Sequence, residues 1–254
     1  MRYYVVADIH GFYTEFRQAL NEQGFFEDSQ PHKLIVCGDL YDRGNEAKEL
    51  QAFILDLIEK DEVILIQGNH EDLMLHLSNG WANWSFLQGH HQANGTIDTV
   101  TQLTGHTVTD MFLKTDEVGR SLLHNAFIQT IIPKMVNYYE TKNHIFVHGW
   151  IPCKYDKDES SYTMIEDWRN ASKQQWDEAR WINGMEAAYN GILEKDKTIV
   201  CGHWHTSFGH AHYHNDGSED GEDANYNPYF ANGIIALDGC TKRSKIVNCI
   251  VIED

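Results

Sequence analysis

The first 78 residues alternate short apolar runs with longer amphipathic stretches. Tyr3 to Ala7 is a short β-rich run, and Phe12 to Gln23 carries Phe16 and Leu20 at helical spacing before Gly24 stops it. Leu34 to Cys37 reads as a buried strand, and Glu46 to Glu59 repeats its leucines, isoleucine and phenylalanine as a helix does. Val63 to Ile66 is a third strand, and Glu71 to Leu77 opens another helix. Strand and helix thus alternate three times over, which predicts a largely parallel sheet with right-handed crossovers.

Residues 80–131 change character. Trp81, Trp84 and Phe86 crowd a loop punctuated by Gly and Asn, and Gly95 to Leu103 and Asp110 to Ile131 read as mostly helical. This segment is expected to be a helical insertion or cap, its aromatics serving packing rather than stacking on a base. Met135 to Tyr139 and His144 to Val147 read as a hairpin across Glu140-Thr141-Lys142-Asn143. Trp168 to Leu193 is a second mainly helical stretch, and Thr198 to Cys201, Gly233 to Leu237 and Lys245 to Ile252 supply further strands. No repeat or linker interrupts the 254 residues, so a single domain, 1–254, is expected.

Composition narrows the classes. Hydrophobic residues make up 42%, enough for a sizeable core, yet no run reaches about 18 apolar residues, so no membrane span is expected. The N-terminus reaches polar residues too soon for a signal peptide, and five cysteines without a CxxC pair argue against a disulfide framework. Both point to a cytoplasmic protein. The formal net charge of −18 disfavours a nucleic-acid partner. Acidic residues gather in Asp156-Lys157-Asp158-Glu159 and Asp216 to Asp223, read as solvated turns. An acidic exterior does not exclude a phosphate substrate, because bound divalent cations invert the local field.

The candidate chemistry lies where strands end. Gly38-Asp39-Leu40-Tyr41-Asp42-Arg43-Gly44 packs two carboxylates and an arginine into a strand-to-helix turn. Asp8 and His10 close the first strand, Asn69 and His70 the third, and His148 and His203 follow two later strands, each exit beside a glycine. Carboxylate, imidazole and amide oxygen together suit Mn, Fe or Zn better than Ca or Mg alone. With no cysteine in the set, a structural zinc is disfavoured. One bridging carboxylate with ligands on either side suits two ions about 3.5–4 Å apart, the arrangement of two-metal hydrolases.

These motifs carry a resemblance. D-x-H-G at 8–11, G-D-x-x-D-R-G at 38–44, G-N-H-E at 68–71, H-G at 148–149 and G-H at 202–203 resemble the signature of the phosphoprotein phosphatase family of calcineurin-like metallophosphoesterases, in particular its bacterial and phage Ser/Thr phosphatases. The resemblance implies an α/β metallophosphoesterase fold, with central β-sheets in a sandwich flanked by helices and the helical insertion near 80–131. It implies that Asp8, His10 and Asp39 bind a first metal, and that Asp39, Asn69, His148 and His203 bind a second, the ions being Mn and/or Fe, with Zn an alternative. It also implies His70 as general acid oriented by Asp42, Arg43 as a phosphate grip, and in-line attack on phosphorus by a hydroxide shared between the ions. A protonated imidazole held by a carboxylate suits the first role, and a guanidinium matches phosphate oxygens bidentately.

One departure stands out. Family members carry a second phosphate-gripping arginine in a Trp-x-Arg context, and Arg180-Trp181-Ile182-Asn183 puts asparagine there. Arg180 is the candidate replacement in the substrate site, with Arg169 as the alternative. His205 could support a metal ligand from behind, while His210, His212 and His214 alternate as a strand would. Glu71 reads only as a favourable charge at a helix N-terminus. The implied partners are a phosphorylated protein or a small phosphate ester or nucleotide. The leading functional expectation is a Ser/Thr protein phosphatase. The alternatives are a symmetrical dinucleoside polyphosphate hydrolase and a metal-binding scaffold without catalysis.

Overall fold

Alternation of side chains along strand β1 (Arg2–Val6) sends its residues into two different cores. Tyr4 and Val6 join a cluster on one face, while Tyr3 and Val5, with Ala7 just beyond the strand, join a cluster on the other. The same split recurs in β2 (His32–Cys37), where Leu34 and Val36 face one way and Ile35 and Cys37 the other. A strand buried on both faces shows the continuous apolar run seen in the sequence. The computed structural model describes residues 1–156 and 161–254, with all their side chains except those of Phe86 and Leu87. Lys157, Asp158 and Glu159 of the first acidic run lie outside the described residues.

Two sheets result. In the first, β1, β2 and β3 (Val63–Ile66) run parallel, and β11 (Cys249–Glu253) pairs antiparallel with β1. In the second, β5 (His144–Phe146), β8 (Thr198–Cys201) and β10 (Ile234–Ala236) run parallel, flanked by antiparallel β4 (Tyr139–Glu140) and β9 (Tyr229–Ala231). Val5, Ile35 and Ile66 of the first sheet meet Phe146, Val200 and Leu237 of the second in one cluster. This is the two-sheet sandwich that the resemblance implies, with helices on its outer faces.

Helices α1 (Tyr13–Glu22), α2 (Ala47–Glu59) and α3 (Asn69–Asn79) cover the first sheet, burying Phe16, Leu50, Ile54 and Met74. Four more helices follow: α4 (Trp84–Asn94), α5 (Thr96–Thr104), α6 (Val108–Leu113) and α7 (Thr115–Leu123). They extend the same core through Trp84, Val100, Met111 and Leu122. The expected helical insertion is therefore present, but residues 84–94 form a helix where a loop is predicted. Gly89 and paired His90-His91 blur the helical period there, and tertiary packing holds the segment. Trp81 and Trp84 stack at 5.9 Å, and the Trp81 indole N–H donates to the Thr115 carbonyl at 2.9 Å. Both are buried, as packing aromatics should be.

On the second sheet's outer face, α8 (Lys173–Ala179) and α9 (Gly184–Tyr189) pack Trp176 and Met185 against Val147 and Ile199. A hairpin of β6 (Cys153–Asp156) and β7 (Ser161–Met164) and the edge strand β9 escape sequence reading. Lys154, Tyr155 and Asp156 are exposed, so no apolar alternation marks the hairpin. The stretch His210–His214 is a helical turn, not the strand its alternation suggests. His210 and His214, four residues apart, both meet the Tyr229 ring, at 5.4 and 4.6 Å.

Candidate metal centre and active site

The parallel strands of both sheets end at a common edge, where their exit turns meet. Asp8, His10, Asp39, Asp42 and His203 all hold left-handed backbone, with φ of 53°, 53°, 57°, 82° and 67°. Such conformations are uncommon outside glycine and cluster where function requires them. Glycine is needed at two neighbouring points. Gly38 has φ +83°, and a Cβ there would lie 2.8 Å from Gly68 Cα and still closer to the His148 ring; at Gly202 a Cβ would strike the Asp8 carboxylate.

Asp39 sits at the centre. Its Oδ2 lies 3.7 Å from His10 Nε2 and 3.9 Å from His70 Nε2, and its Oδ1 lies 3.4 Å from His148 Nε2. Asp8 Oδ1 is 4.0 Å from the same His10 nitrogen. Asn69 Oδ1 is 2.7 Å from His148 Nε2 and 2.9 Å from His203 Nδ1. Asp39 is thus shared by two donor groups, His10–Asp39–His70 and Asp39–His148–His203. The Nδ1–H of His10 donates to the Tyr41 carbonyl at 2.7 Å, and that of His148 to the Cys37 carbonyl at 2.8 Å. In the neutral ring this leaves Nε2 as the free ligand atom.

Titration separates the histidines. Burial lowers His10 to about 4 and His203 to about 3, and also lowers His148. Each therefore favours the neutral form that ligates metal. For His70 burial acts in the same direction, but the carboxylates of Asp39 and Asp42 outweigh it and raise the value. Burial would raise Asp39, yet the histidines around it (His148, His70, His10 and His203) hold it below the usual carboxylate range.

His70 Nδ1–H donates to Asp42 Oδ2 at 3.0 Å, and Asp42 also accepts from Thr96 Oγ1 at 2.8 Å and Thr99 Oγ1 at 2.6 Å. Arg43 Nη2 lies 3.4 Å from His70 Nε2. Arg43, His70, Asp39 and Trp181 line a cavity of about 570 Å³ that opens over Asp39. The cluster can therefore hold cations on one side and a protonated imidazole beside a guanidinium on the other.

The calcineurin-like phosphoesterase family matches residues 1–218. The chain belongs to this family. A symmetrical bis(5'-nucleosyl)-tetraphosphatase of Buchnera aphidicola subsp. Acyrthosiphon pisum (strain Tuc7) is 30% identical over 128 residues, 50% of this chain and 45% of that protein. An asymmetrical bis(5'-nucleosyl)-tetraphosphatase of Bacillus velezensis is 34% identical over 76 residues, 28% of this chain and 30% of that protein. The chain thus spans less than half the length of either relative. A cold-active protein-tyrosine phosphatase of a psychrophilic Shewanella species shares the fold at a TM-score of 0.53 and 19% identity, covering all of this chain and 75% of that one.

The calcineurin-like family implies a dinuclear divalent metal centre, and the residues present fit one. Besides Asp39, the buried carboxylates Asp8 and Asp238 face each other's charge. Burial, then Asp238 and Asp39, push Asp8 up; burial foremost pushes Asp238 up to about 6. Among the described residues no lysine or arginine forms an ion pair with any of the three. Cations between them would supply the missing compensation.

The predicted ligands Asp8, His10, Asp39, Asn69, His148 and His203 are all brought together, and Asp42, His70 and Arg43 flank them. Arg180 is not. It is 5% exposed, with Nη1 on Asp72 at 2.8 Å and Asp177 at 2.7 Å and Nη2 on Asn137 at 2.6 Å. Arg169 is likewise committed, gripping Glu140 at 2.7 Å and Glu194 at 3.2 Å. Asn183 has become the N-cap of α9, its Oδ1 accepting from Met185 N–H at 3.1 Å and Glu186 N–H at 3.3 Å. His205 lines the cavity and contacts Ser207 Oγ at 2.8 Å.

Three contributions escape sequence reading. The buried Glu71 carboxylate accepts from the backbone N–H of Asp39 and Leu40, both at 3.0 Å, and of Gly68 at 2.7 Å. It locks two strand exits together rather than merely opening a helix. Thr96 and Thr99 hold Asp42 from the insertion, with no motif to mark them. Asp238 follows β10 and precedes Gly239, the same carboxylate-beside-glycine pattern as the other strand exits, and that signal could have found it.

Proposed function

We propose that this chain is a metal-dependent phosphoesterase whose preferred substrate is a nucleoside polyphosphate. The observation that carries the phosphoesterase reading is the placement of His70, linked to Asp42 on one nitrogen and beside Arg43 and Asp39 on the other. Ions bound at Asp8, His10, Asp39, Asn69, His148 and His203, with Mn and/or Fe favoured, would supply Lewis acidity and an activated water. Arg43 binds the non-bridging phosphoryl oxygens and fixes the phosphorus over Asp39. His70 gives its Nε2 proton to the departing oxygen, and Asp42, held by two threonine hydroxyls, keeps the ring oriented and charged. Glu71 keeps the exits of β2 and β3 in register beneath this arrangement.

The named tetraphosphatases among the relatives favour a nucleotide anhydride. So does the commitment of Arg180 to Asp72 and Asp177, which removes a second arginine from the phosphoprotein grip. Trp181, 49% exposed at the cavity wall, offers a flat apolar face for a base. Ser/Thr phosphoprotein hydrolysis uses the same centre and is the competing reading. Both are tested by a substrate panel on Mn-reconstituted protein, with elemental analysis of the same sample. Diadenosine tetraphosphate is expected to be turned over faster than a phosphothreonine peptide; the reverse order would favour the protein phosphatase. Full metal occupancy with no turnover of any phosphate would leave a scaffold without catalysis.

A further inference from the structure

The position that should carry a second phosphate-binding cation is an N-cap asparagine, and the neighbouring arginines are spent on carboxylates. The cavity nevertheless has two more cations at its mouth, Lys242 and Arg243, both on the short helix α10 (Thr241–Ser244). Arg243 is engaged by Asp220. Lys242 is exposed and forms no ion pair with any described carboxylate. Lys242 also lines a smaller cavity of about 80 Å³ together with Asp42, Arg43 and Gly44, so it lies on the Arg43 side of the mouth. The helix that carries it is pinned to the site: Thr241 Oγ1 is 3.2 Å from the Asp8 carbonyl and 2.9 Å from the Ile246 carbonyl.

With His70 as the acid of the proposed function, that is the side on which the leaving group departs. His70 Nε2, the proton donor, is 3.4 Å from Arg43 Nη2. We propose that Lys242 is a specificity-determining residue that binds the leaving phosphate of a phosphoanhydride substrate, the one next to the phosphorus under attack. This rests on the phosphoesterase reading above. In the reaction a water oxygen bonds to phosphorus and the bond to the bridging oxygen breaks. The bridging oxygen keeps the electron pair and takes the His70 proton. The water proton is released to solvent. From an anhydride the departing group is still an anion, whereas from an alkyl or aryl monoester it is a neutral alcohol or phenol. A cation on the His70 side therefore favours anhydrides over monoesters.

The test compares wild type, Lys242→Ala and Lys242→Arg, each Mn-loaded, on inorganic tripolyphosphate and on phenyl phosphate. In Lys242→Ala the ratio of kcat/KM for tripolyphosphate over phenyl phosphate should fall on the order of tenfold. Lys242→Arg should restore most of the ratio, and the difference should shrink as salt rises to about 0.5 M. An unchanged ratio in Lys242→Ala overturns the proposal, as does a wild type that turns over phenyl phosphate but not tripolyphosphate; both leave the phosphoesterase reading standing. A fully metallated wild type that hydrolyses neither compound removes that reading and this one with it.

Discussion

Two arginine-bearing turns of this chain have opposite fates. The turn 38–44 leaves a parallel strand and presents Arg43 to an open cavity, its side chain hydrogen-bonded among the described residues to the Ala93 carbonyl and the His70 ring. The turn 180–183 leaves a helix and buries Arg180 between Asp72, Asp177 and Asn137. A buried guanidinium whose two terminal nitrogens are already held by two carboxylates and an amide oxygen is turned away from a substrate anion, even with its Nε–H unpaired. One that lacks a carboxylate partner is available to bind one. Residue type alone makes both turns look like phosphate grips; the number of acceptors already in reach separates them.

The largest effects should come from the centre that makes Arg43 useful. Asp39→Asn is expected to reduce turnover to background and to lower bound metal on elemental analysis, because one residue is shared by both donor groups. His70→Asn should lower kcat by about 10²–10⁴-fold, the range of a lost general acid, with metal content near wild type. Loss of metal from that variant would instead make His70 a ligand and sink its assignment as acid.

The comparison itself is sharpened by exchanging losses. Arg43→Ala should weaken inhibition by inorganic phosphate and cut kcat/KM while Tm stays within about 1 °C. Arg180→Ala should do the reverse, lowering Tm by about 5 °C, on the order of 2 kcal/mol, because it leaves the partly buried Asp72 carboxylate without its cation and Asp177 with Lys173 alone. A Tm unaffected by Arg180→Ala, coupled to loss of phosphate inhibition, would return that residue to the substrate site. Asn183→Ala is the milder companion. Loss of the α9 cap should cost about 1 kcal/mol and lower Tm by about 3 °C.

Legibility followed the same line. Strand exits were readable because apolar runs mark parallel strands, and Asp, His and Asn beside glycine mark turns that approach a ligand. That pattern marks Asp8, His10, Asp39, Asn69, His70, His148 and His203, which the fold brings together from chain segments nearly 200 residues apart. What stayed hidden depends on partners distant in sequence. Thr96 and Thr99 matter only because Asp42 lies beside them, Glu71 because three backbone N–H groups point at it, and Lys242 because its short helix is pinned to the Asp8 carbonyl. None of these has a periodicity or a motif of its own. The exposed hairpin β6–β7 was missed for a related reason, since a strand with a single buried side chain leaves no alternation to read.

Arg169 offers the last and smallest test, and it extends the saturated side of the comparison to pH. Its guanidinium holds Glu140 at 2.7 Å, with Lys197 on the same oxygen at 2.9 Å. The Arg169 hydrogen bond is the main cause that lowers the Glu140 carboxyl to about 2, with Lys197 helping and burial opposing. A folded-state value below the unfolded one means the pair adds stability above the ordinary glutamate range, and that this is lost as pH falls towards about 2. Both side chains are part exposed, so solvent screening keeps the effect small. Glu140→Gln should therefore lower Tm by about 1–2 °C at neutral pH, and the gap to wild type should close as the pH is taken below about 3. A gap that persists unchanged in acid would mean the glutamate contributes packing rather than charge. Arg169 would then be held by Glu194 alone, and the contrast with Arg43 would rest on Arg180.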